Sequence, residues 1–576
     1  MFRKTDPQRS LLDCEFLLPP EKKARLEKSW AKPFRDRILP LIDEEVFRDA
    51  FCEDNGRPNK SIRLLVCIHL LKEWYDLTDE EVLEHLEFNL QWHYALGITA
   101  EQAHTCQKTM HNFRVLLMGS DRAKKEFEHV TRLIAAADGV GINKQRMDST
   151  HVLSNIAVLT RLGLFVETVT NFLKELRRED PDVFESLDAG YRRRYLDREG
   201  YFSDAKREQA RRRLPVVAED VYALVSTFET DIEVSKLKSF EVLVRLFEEQ
   251  CEVVEKDNDE GDGDAKGGKS KVVLRAQVVE PKEVSSDSLQ SPYDPDATYG
   301  HKGKGYEAQI AETCDDDNPY QVITGTAVNG AHESDHNGLL PMLDQLDESG
   351  MKPEEMQADT TYGSGENIVE SAKRGVDLQA PVQDPNAPSR PEHFAAPVWE
   401  QSQSESCDDE GEQSSEQEAP EADIGLDEFT FKATFDTVVS CPSGHPPTTQ
   451  DESGGVVFAV FSAAVCSLCP FASRCPTREL ANGDRQFRRA PSTIATECRQ
   501  AEQQTSAFKE NYKKRAGIES TNQELKGRHG MGDLRIRGKP RVTLSVQLKA
   551  LALNVKRAME YHVSKLAEPD VCPCPT

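Results

Sequence analysis

The chain has 576 residues, with 100 Asp and Glu against 72 Lys and Arg, and a formal net charge of −28 at pH 7. One hydrophobic core rarely organises more than about 250–300 residues, so this length predicts several domains. There is no signal peptide and no apolar run long enough to cross a membrane, and fourteen cysteines are too sparse for a small disulfide scaffold. These features argue against a membrane protein and a disulfide-rich secreted domain, and they predict a soluble protein of a reducing cytoplasm.

The net charge alone would argue against a nucleic-acid partner, but the charge is unevenly distributed. Residues 401–430 contain eleven acidic and no basic residues, whereas 499–560 contain fourteen Lys and Arg against six Asp and Glu. Local charge, rather than net charge, governs binding to a polyanion. The C-terminal region is therefore a candidate for binding nucleic acid.

The first 120 residues are expected to be helical. The stretch "KSIRLLVCIHLLKEWYDLT" has an apolar face, and Thr78 and Glu81 have the spacing of a capping box at the start of the next helix. A small helical core is predicted, packed by Trp74, Phe88, Leu90 and Trp92. Such a unit is either a DNA-binding head or a plain structural bundle, and periodicity alone leaves both open.

The middle of the chain alternates strand and helix signals. The segment 139–152 predicts a short strand running into Asp148, and 156–250 predicts a helical insertion. Residues 305–313 and 320–328 flank the turn formers "CDDDNP" and predict a hairpin. A helix over 334–349 and a strand ending near Asp359 follow, and "GVDLQAPV" predicts a further strand.

Two acid-rich stretches of low hydrophobicity are expected to be disordered linkers. Together with the elements above they predict a mixed α/β core, interrupted by insertions and preceded by a helical domain. The expected domains are 1–125, the helical N-terminal domain; 139–155, the first strand of the core; 156–250, the helical insertion; 251–292, an acidic linker; 293–382, the core continued; 383–426, an acidic spacer; 427–485, a cysteine-bearing insertion; and 486–565, the C-terminal helical part of the core.

The stretch "YKKRAGIESTNQELKGRHG", residues 512–530, spaces four polar side chains at helical intervals. On one helix, Tyr512, Arg515, Glu519 and Lys526 would form a stripe with a carboxylate among basic groups. A solvated helix face is the alternative.

Three carboxylates are candidates for a metal site. If Asp148 and Asp359 end adjacent strands and Glu519 projects from a covering helix, the three could converge, and hard oxygen ligands suit Mg²⁺ or Mn²⁺. Two such ions can promote an in-line displacement at phosphorus. The alternative is that each aspartate caps a turn or helix.

These motifs together resemble the insertion-sequence transposases of the DDE class. The spacing Tyr512-x2-Arg515-x3-Glu519-x6-Lys526 matches the YREK signature of that class. The segments "MDST" (147–150) and "ADTTYGS" (358–364) resemble the surroundings of its first two catalytic aspartates. The helical N-terminal segment and "DPDATYGHKGKGYEAQ" (294–309) also resemble parts of these proteins.

The resemblance implies an RNase H-like core, two Mg²⁺ or Mn²⁺ ions held by Asp148, Asp359 and Glu519, and Tyr512, Arg515 and Lys526 as contacts to the DNA backbone. It implies cleavage of element ends and strand transfer into double-stranded target DNA, by a homo-oligomer (a dimer on DNA) in the bacterial nucleoid. A catalytically inactive DNA-binding descendant and a related nuclease without strand transfer are the alternatives.

The basic tail is a second candidate DNA contact. The residues that could line a DNA channel are Arg528, His529, Arg535, Arg537, Lys539 and Arg541. A merely solvated basic surface is the alternative. The segment "LSVQLKALALNVKR" has an apolar stripe and is expected to be a core helix.

The cysteine-bearing segment is a second metal-site candidate. Cys441, Cys466, Cys469 and Cys475 include one CxxC pair and could bind structural Zn²⁺ tetrahedrally. His445 could replace one thiol, and free cysteines are the alternative. Four thiolates would leave no open position for a catalytic zinc.

Overall fold

The computed structural model describes residues 1–5, 18–53, 55–56, 58–156, 159–197, 207–257, 272–383 and 424–567. The chain divides into two compact units, a first unit of Met1–Lys352 with Gly517–Thr576 and a second unit of Pro353–Ala516. Most of the predicted spacer 383–426 lies outside the described residues. Among the helices of the described part, none has the length and apolar character that a membrane span requires.

Helices open the first unit. Their bounds are α1 Pro20–Glu27, α2 Ile62–Tyr75, α3 Asp79–Phe88, α4 Leu90–Leu96, α5 Gln107–Met118 and α6 Arg122–Asp138, with a single turn at Ala31–Pro33. The predicted capping box is confirmed, because the Glu81 amide donates to the Thr78 hydroxyl and the Thr78 amide donates to the Glu81 carboxylate. The predicted core is confirmed at Trp92 but wrong at Phe88 and Leu90, which are 73% and 45% exposed.

Antiparallel strands form the centre of the first unit. They are β1 Lys144–Val152, β4 Thr298–Gly300, β5 Gly303–Thr313 and β6 Ile323–Gly330. β5 pairs with β1 along one edge and with β4 and β6 along the other, so the predicted hairpin is confirmed. The predicted first strand is present as β1, but it does not end at Asp148. Its pairing with β5 continues as far as Val152, through the β-branched Thr150 and Val152.

An insertion with its own core follows β1. Its elements are α7 Arg161–Glu179, α8 Pro181–Ser186, a turn at Ala189–Tyr191, α9 Arg207–Phe228, α10 Lys238–Gln250, β2 Cys251–Asp257 and β3 Val272–Val278. The predicted disordered linker over 251–292 is wrong for its described part, because β2 and β3 pair antiparallel. Their valines outweigh the acidic composition as strand formers, and residues 258–271 lie outside the described part.

The first unit closes with helices packed on its sheet. They are α11 Leu339–Glu348, α16 Gly517–Gly527 and α17 Lys539–Ala567. The expected core helix is confirmed in α17, which packs against α2, α6 and β6. The side chain of its buried Asn554 accepts a hydrogen bond from the Ile323 amide and donates one to the Ile323 carbonyl, both at 2.7 Å. This pair of bonds ties α17 to the outer strand of the sheet.

The second unit contains both parallel and antiparallel strands. Its elements are β7 Glu355–Gln357, α12 Gly365–Lys373, β8 Asp377–Gln379, β9 Thr430–Phe431, β10 Val438–Ser440, β11 Thr449–Ser453, β12 Val456–Phe461, α13 Ala463–Cys466, β13 Arg478–Glu479, β14 Arg485–Arg489, α14 Pro491–Glu502 and α15 Ser506–Tyr512. β7 and β8 are parallel, joined through α12, while β11, β12, β14 and β13 form an antiparallel sheet in that order. The predicted mixed α/β class with a helical N-terminal region is confirmed.

Candidate active site

Asp148 lies in the middle of β1, opposite Ile310 of β5, and its side chain is half-buried. Because side chains alternate along a strand, Asp148 shares a face with Arg146, two residues earlier. The Asn522 side-chain amide of α16 donates a hydrogen bond to the Asp148 Oδ2 at 3.3 Å. This contact places α16 beside the strand that carries the first predicted catalytic aspartate.

α16 presents Glu519 and Lys526 on either side of Asn522. The helix is anchored by its buried residues, Ile518, Thr521, Asn522 and Leu525. Glu519 precedes Asn522 by one turn and is exposed, whereas Lys526 follows it by one turn and is half-buried. Glu519, Asn522 and Lys526 therefore lie in a row along the helix, with the Asn522 side chain on Asp148.

The prediction of one continuous signature helix is wrong. Tyr512 ends α15, Arg515 lies in a 3₁₀ turn over Lys513–Ala516, and Glu519 begins the first turn of α16. The break coincides with Gly517, where a Cβ atom would lie 2.0 Å from the Arg146 guanidinium. Gly517 therefore lets the chain pass close to the Arg146 guanidinium. The four signature residues are divided between the two units.

A buried carboxylate joins α16 and α17 to the sheet. Glu312 of β5 has no exposed surface, and the Arg146 guanidinium donates to it at 2.8 Å. The Thr521 hydroxyl of α16 donates to the same carboxylate at 2.8 Å, and Arg557 of α17 donates at 3.1 Å. A buried charge is tolerated only when paired and hydrogen-bonded, and here every partner comes from a different element.

Two lysines lie near Asp148. The Lys302 ammonium, from the β4–β5 turn, donates to the Ser149 hydroxyl at 3.1 Å and to Glu307 at 3.3 Å. Burial lowers the pKa of Lys526 and the nearby charge of Lys302 lowers it further, against the attraction of Glu307 and Asp148. The ammonium groups of Lys302 and Lys526 repel each other, and an anion bound between them would relieve this repulsion.

Asp359 belongs to the second unit and follows β7 by two residues. Its Oδ1 accepts the Thr361 amide at 2.8 Å, as expected of an aspartate in a turn, and its Oδ2 lies 3.7 Å from the Arg515 guanidinium. The turn requires glycine at position 363, because a Cβ atom there would lie 1.9 Å from the Pro381 carbonyl oxygen. Asp359 thus has both the turn-forming contact and one of the signature cations beside it.

The remaining candidate DNA contacts, Tyr512 and the basic residues after α16, differ in their surroundings. Tyr512 stacks on Phe508 with ring centres 5.7 Å apart. Arg528 and Arg535 are largely exposed, the first 4.0 Å from Glu524 and the second 3.0 Å from Asp76. His529 has no exposed surface and its Nδ1 bonds the Glu73 carbonyl, so its prediction as a DNA-channel residue is wrong.

Three further basic residues lie near the start of α17. The Arg537 guanidinium bonds the Asn155 carbonyl and lies over the Tyr293 ring at 5.2 Å. Lys539 lies 3.8 Å from Glu333 with its side chain 45% exposed, and Arg541 is exposed. Because weak surface ion pairs are easily exchanged for a phosphate, these side chains keep the capacity to contact DNA.

The carboxylates suit a divalent cation in their chemistry, since carboxylate oxygens are the ligands that Mg²⁺ and Mn²⁺ prefer. Exposure of Glu519 and half-burial of Asp148 leave both reachable from solvent. In the part of the chain that the structure describes, no three His, Cys, Asp or Glu side chains are grouped as a set of metal ligands. The oxygen donors of these carboxylates fit the chemistry of the ion.

The four predicted zinc cysteines lie around one cavity of the second unit. Cys441, Cys466, Cys469 and Cys475 all line a cavity of about 30 Å³. His445, the alternative ligand, is exposed and does not line it.

Sequence reasoning missed Asn522, Glu312, Arg557 and Lys302. One signal was available for Glu312, since an acidic residue within the apolar strand "GYEAQIAET" indicates a paired, buried charge. The others depend on contacts between distant parts of the chain, which spacing does not reveal.

Comparison with known proteins finds transposase domains in two segments. The family model described as Transposase domain (DUF772) matches residues 22–116, and the one described as Transposase DDE domain matches residues 440–559. The second match contains Glu519, Lys526 and the four cysteines. No curated protein and no solved structure matches the chain significantly.

Proposed function

Because the chain belongs to the DDE transposases of insertion sequences, we propose that it cuts DNA at the ends of its element and joins the freed ends to target DNA. The observation that carries this proposal is α16, which sets Glu519, Asn522 and Lys526 in a row, with Asn522 bonded to Asp148. An acidic residue and a cation flanking that contact suit a phosphodiester substrate.

Asp148, Asp359 and Glu519 would hold the divalent cations in an RNase H-like core. When bound, Mg²⁺ or Mn²⁺ supplies activation of the attacking oxygen and stabilisation of the leaving oxygen in an in-line displacement. Asn522 restrains the Asp148 carboxylate through its amide, and Arg515 lies beside Asp359. Both contacts would hold a carboxylate in place before substrate arrives.

The lysines beside Asp148 would bind the substrate backbone. A phosphate contacting both Lys302 and Lys526 would relieve the repulsion that, with burial, lowers the pKa of Lys526. Tyr512 and Arg515 are proposed as further backbone contacts. Such contacts position a duplex without reading its sequence.

The exposed basic residues after α16 would extend the DNA contact. Arg528, Arg535 and Arg541 are exposed, and Arg537 and Lys539, which we include with them, are partly exposed. A dimer on DNA, with one chain at each element end, is the assembly that joining two ends requires.

The proposal is tested with DNA carrying the two regions that flank the coding sequence, incubated with the full chain and Mg²⁺ or Mn²⁺. We expect cut and joined products from the wild type and none from Glu519→Gln, which keeps the size of the side chain and removes its charge. Glu510→Gln is the matched control, since Glu510 is an exposed glutamate on the neighbouring α15, paired with Lys513.

The outcomes separate the candidate activities. Equal products from wild type and Glu519→Gln would refute the role of Glu519. Cut DNA that is never joined would indicate a nuclease without strand transfer. Binding of the ends without cutting by the wild type would indicate an inactive DNA-binding descendant.

A further inference from the structure

The cysteine segment of the second unit brings distant thiols to one place. Cys441 follows β10, Cys466 and Cys469 lie at and just after α13, and Cys475 precedes β13. All of them line the same cavity of about 30 Å³, close to the volume of one water molecule. A space of this size is sufficient for a single metal ion.

The turn at Cys441 has the shape of a metal-binding knuckle. The Gly444 amide donates to the Cys441 carbonyl at 2.7 Å, and the Cys441 amide donates to the His445 carbonyl at 2.9 Å. Gly444 has φ +81°, a conformation that favours glycine. The turn "CPSGH" is therefore closed by its own backbone hydrogen bonds, and it holds the Cys441 thiol at the cavity.

Hydroxyl groups and one cation surround the sulfur atoms. The Ser443 Oγ lies 3.1 Å from the Cys469 Sγ, and the Thr477 hydroxyl donates to the Cys475 Sγ at 3.2 Å. The Arg485 guanidinium in turn donates to the Thr477 hydroxyl at 2.9 Å. Hydrogen-bond donors and a positive charge behind the sulfurs are what a set of metal-bound thiolates needs, because they offset its negative charge.

We propose that Cys441, Cys466, Cys469 and Cys475 bind one structural Zn²⁺ ion. Among the described residues the four sulfurs line one cavity, but no three of them are grouped as a set of metal ligands. Binding of the ion would therefore draw the four side chains together. Each thiol gives up one proton as its sulfur binds the ion, so four protons are released and the site carries a net charge of about −2. Four thiolates fill the tetrahedral shell, so this zinc takes no part in catalysis.

The small core of this region explains why a metal would be used. The apolar cluster beneath the cavity is built on Ile424, Leu426, Phe429, Val438, Val457, Ala459, Phe461, Phe487 and Ile494, and Cys441, Cys466 and Cys475 pack against it. Small hydrophobic cores supply little stability, and a metal is a common reinforcement. The ion would fix the loops around 441–445 and 462–477 onto this cluster.

The test measures zinc in the full chain, purified with reductant and without chelator. We expect about one zinc ion per chain in the wild type and at least a tenfold lower content in Cys469→Ser. Cys498→Ser is the matched control, because Cys498 packs against the same apolar cluster but does not line the cavity, and it should keep its zinc. A wild type that lacks zinc even after reconstitution, or equal zinc in the two variants, would overturn the proposal.

Two measurements on the wild type do not depend on the folding of a variant. Modification of the cysteines with a mercurial should release the zinc, and Co²⁺ in its place should show the thiolate charge-transfer band of a tetrahedral sulfur site. A Co²⁺ spectrum without that band, or a disulfide between Cys466 and Cys469 in the purified chain, would contradict the site. DNA cleavage is not part of either readout, so failure here leaves the proposed transposase activity untouched.

Discussion

Neutralising Glu312 should show how much a buried ion-pair network stabilises this fold. The Glu312→Gln change keeps the side-chain volume but leaves Arg146 and Arg557 without the carboxylate that both contact. Those arginine side chains are only 11% and 16% exposed, so water does not readily replace the lost partner. Removing one partner of a buried ion pair costs about 3–5 kcal/mol.

The first unit, Met1–Lys352 with Gly517–Thr576, is large and has a correspondingly large entropy of unfolding, so that loss corresponds to a fall in melting temperature of roughly 3–6 °C. The assay is thermal unfolding of the full chain, followed by circular dichroism. The Thr521 hydroxyl of α16 donates to the same carboxylate, so the substitution weakens one anchor of α16. The rate of DNA cleavage should therefore also decrease, even at temperatures at which the variant is folded.

The matched control is Glu45→Gln. Glu45 also contacts two cations, Lys4 and Arg48, but its side chain is 36% exposed, and solvent screens such pairs. Its neutralisation should change the melting temperature far less. Equal shifts for the two variants, or no shift for Glu312→Gln, would refute the reasoning that burial makes this network stabilising.

Three further predictions follow from single residues. Burial and the nearby Asp43 raise the pKa of Glu126 to about 8. In the unfolded chain this carboxyl has its ordinary, lower pKa and loses its proton first. The free energy of unfolding should therefore fall as the pH rises from about 4.5 to 8. Denaturant unfolding should show this fall, by up to about 5 kcal/mol, and Glu126→Gln should abolish it; an unchanged pH profile would be contrary evidence. Lys526→Ala should weaken DNA binding and reduce the slope of log affinity against log salt by about 1, while the remote Lys565→Ala should not; identical slopes would argue against a phosphate contact. Thr78→Ala should lower the free energy of unfolding by about 1 kcal/mol through loss of the cap of α3, measured by denaturant unfolding, and a change near zero would show that the cap adds nothing.

Features encoded by near neighbours could be predicted from the sequence. The Thr78–Glu81 capping box and the β5–β6 hairpin depend on residues close in the chain, and both are present. The prediction of a linker at 251–292 is wrong for its described part, because the valines in this acidic stretch favour the extended backbone in which β2 and β3 pair.

Features that depend on distant contacts could not be predicted. The signature residues are divided between α15, a 3₁₀ turn and α16. α16 begins at Gly517, beside the guanidinium of Arg146, which lies 371 residues earlier in the sequence. Glu312 and Arg557 likewise meet across 245 residues. Helical spacing gave the candidate residues, and the elements that carry them depend on this packing.

The most direct test of the central claim asks whether Asp148 binds the catalytic metal. Asp148→Cys replaces a hard oxygen ligand with a softer thiolate, which binds Mg²⁺ poorly and accepts Mn²⁺ more readily. DNA cleavage by this variant should be lost in Mg²⁺ and partly restored in Mn²⁺, with binding of element ends retained in both. Wild-type cleavage in Mg²⁺, or a loss that Mn²⁺ does not relieve although the ends are still bound, would contradict the account.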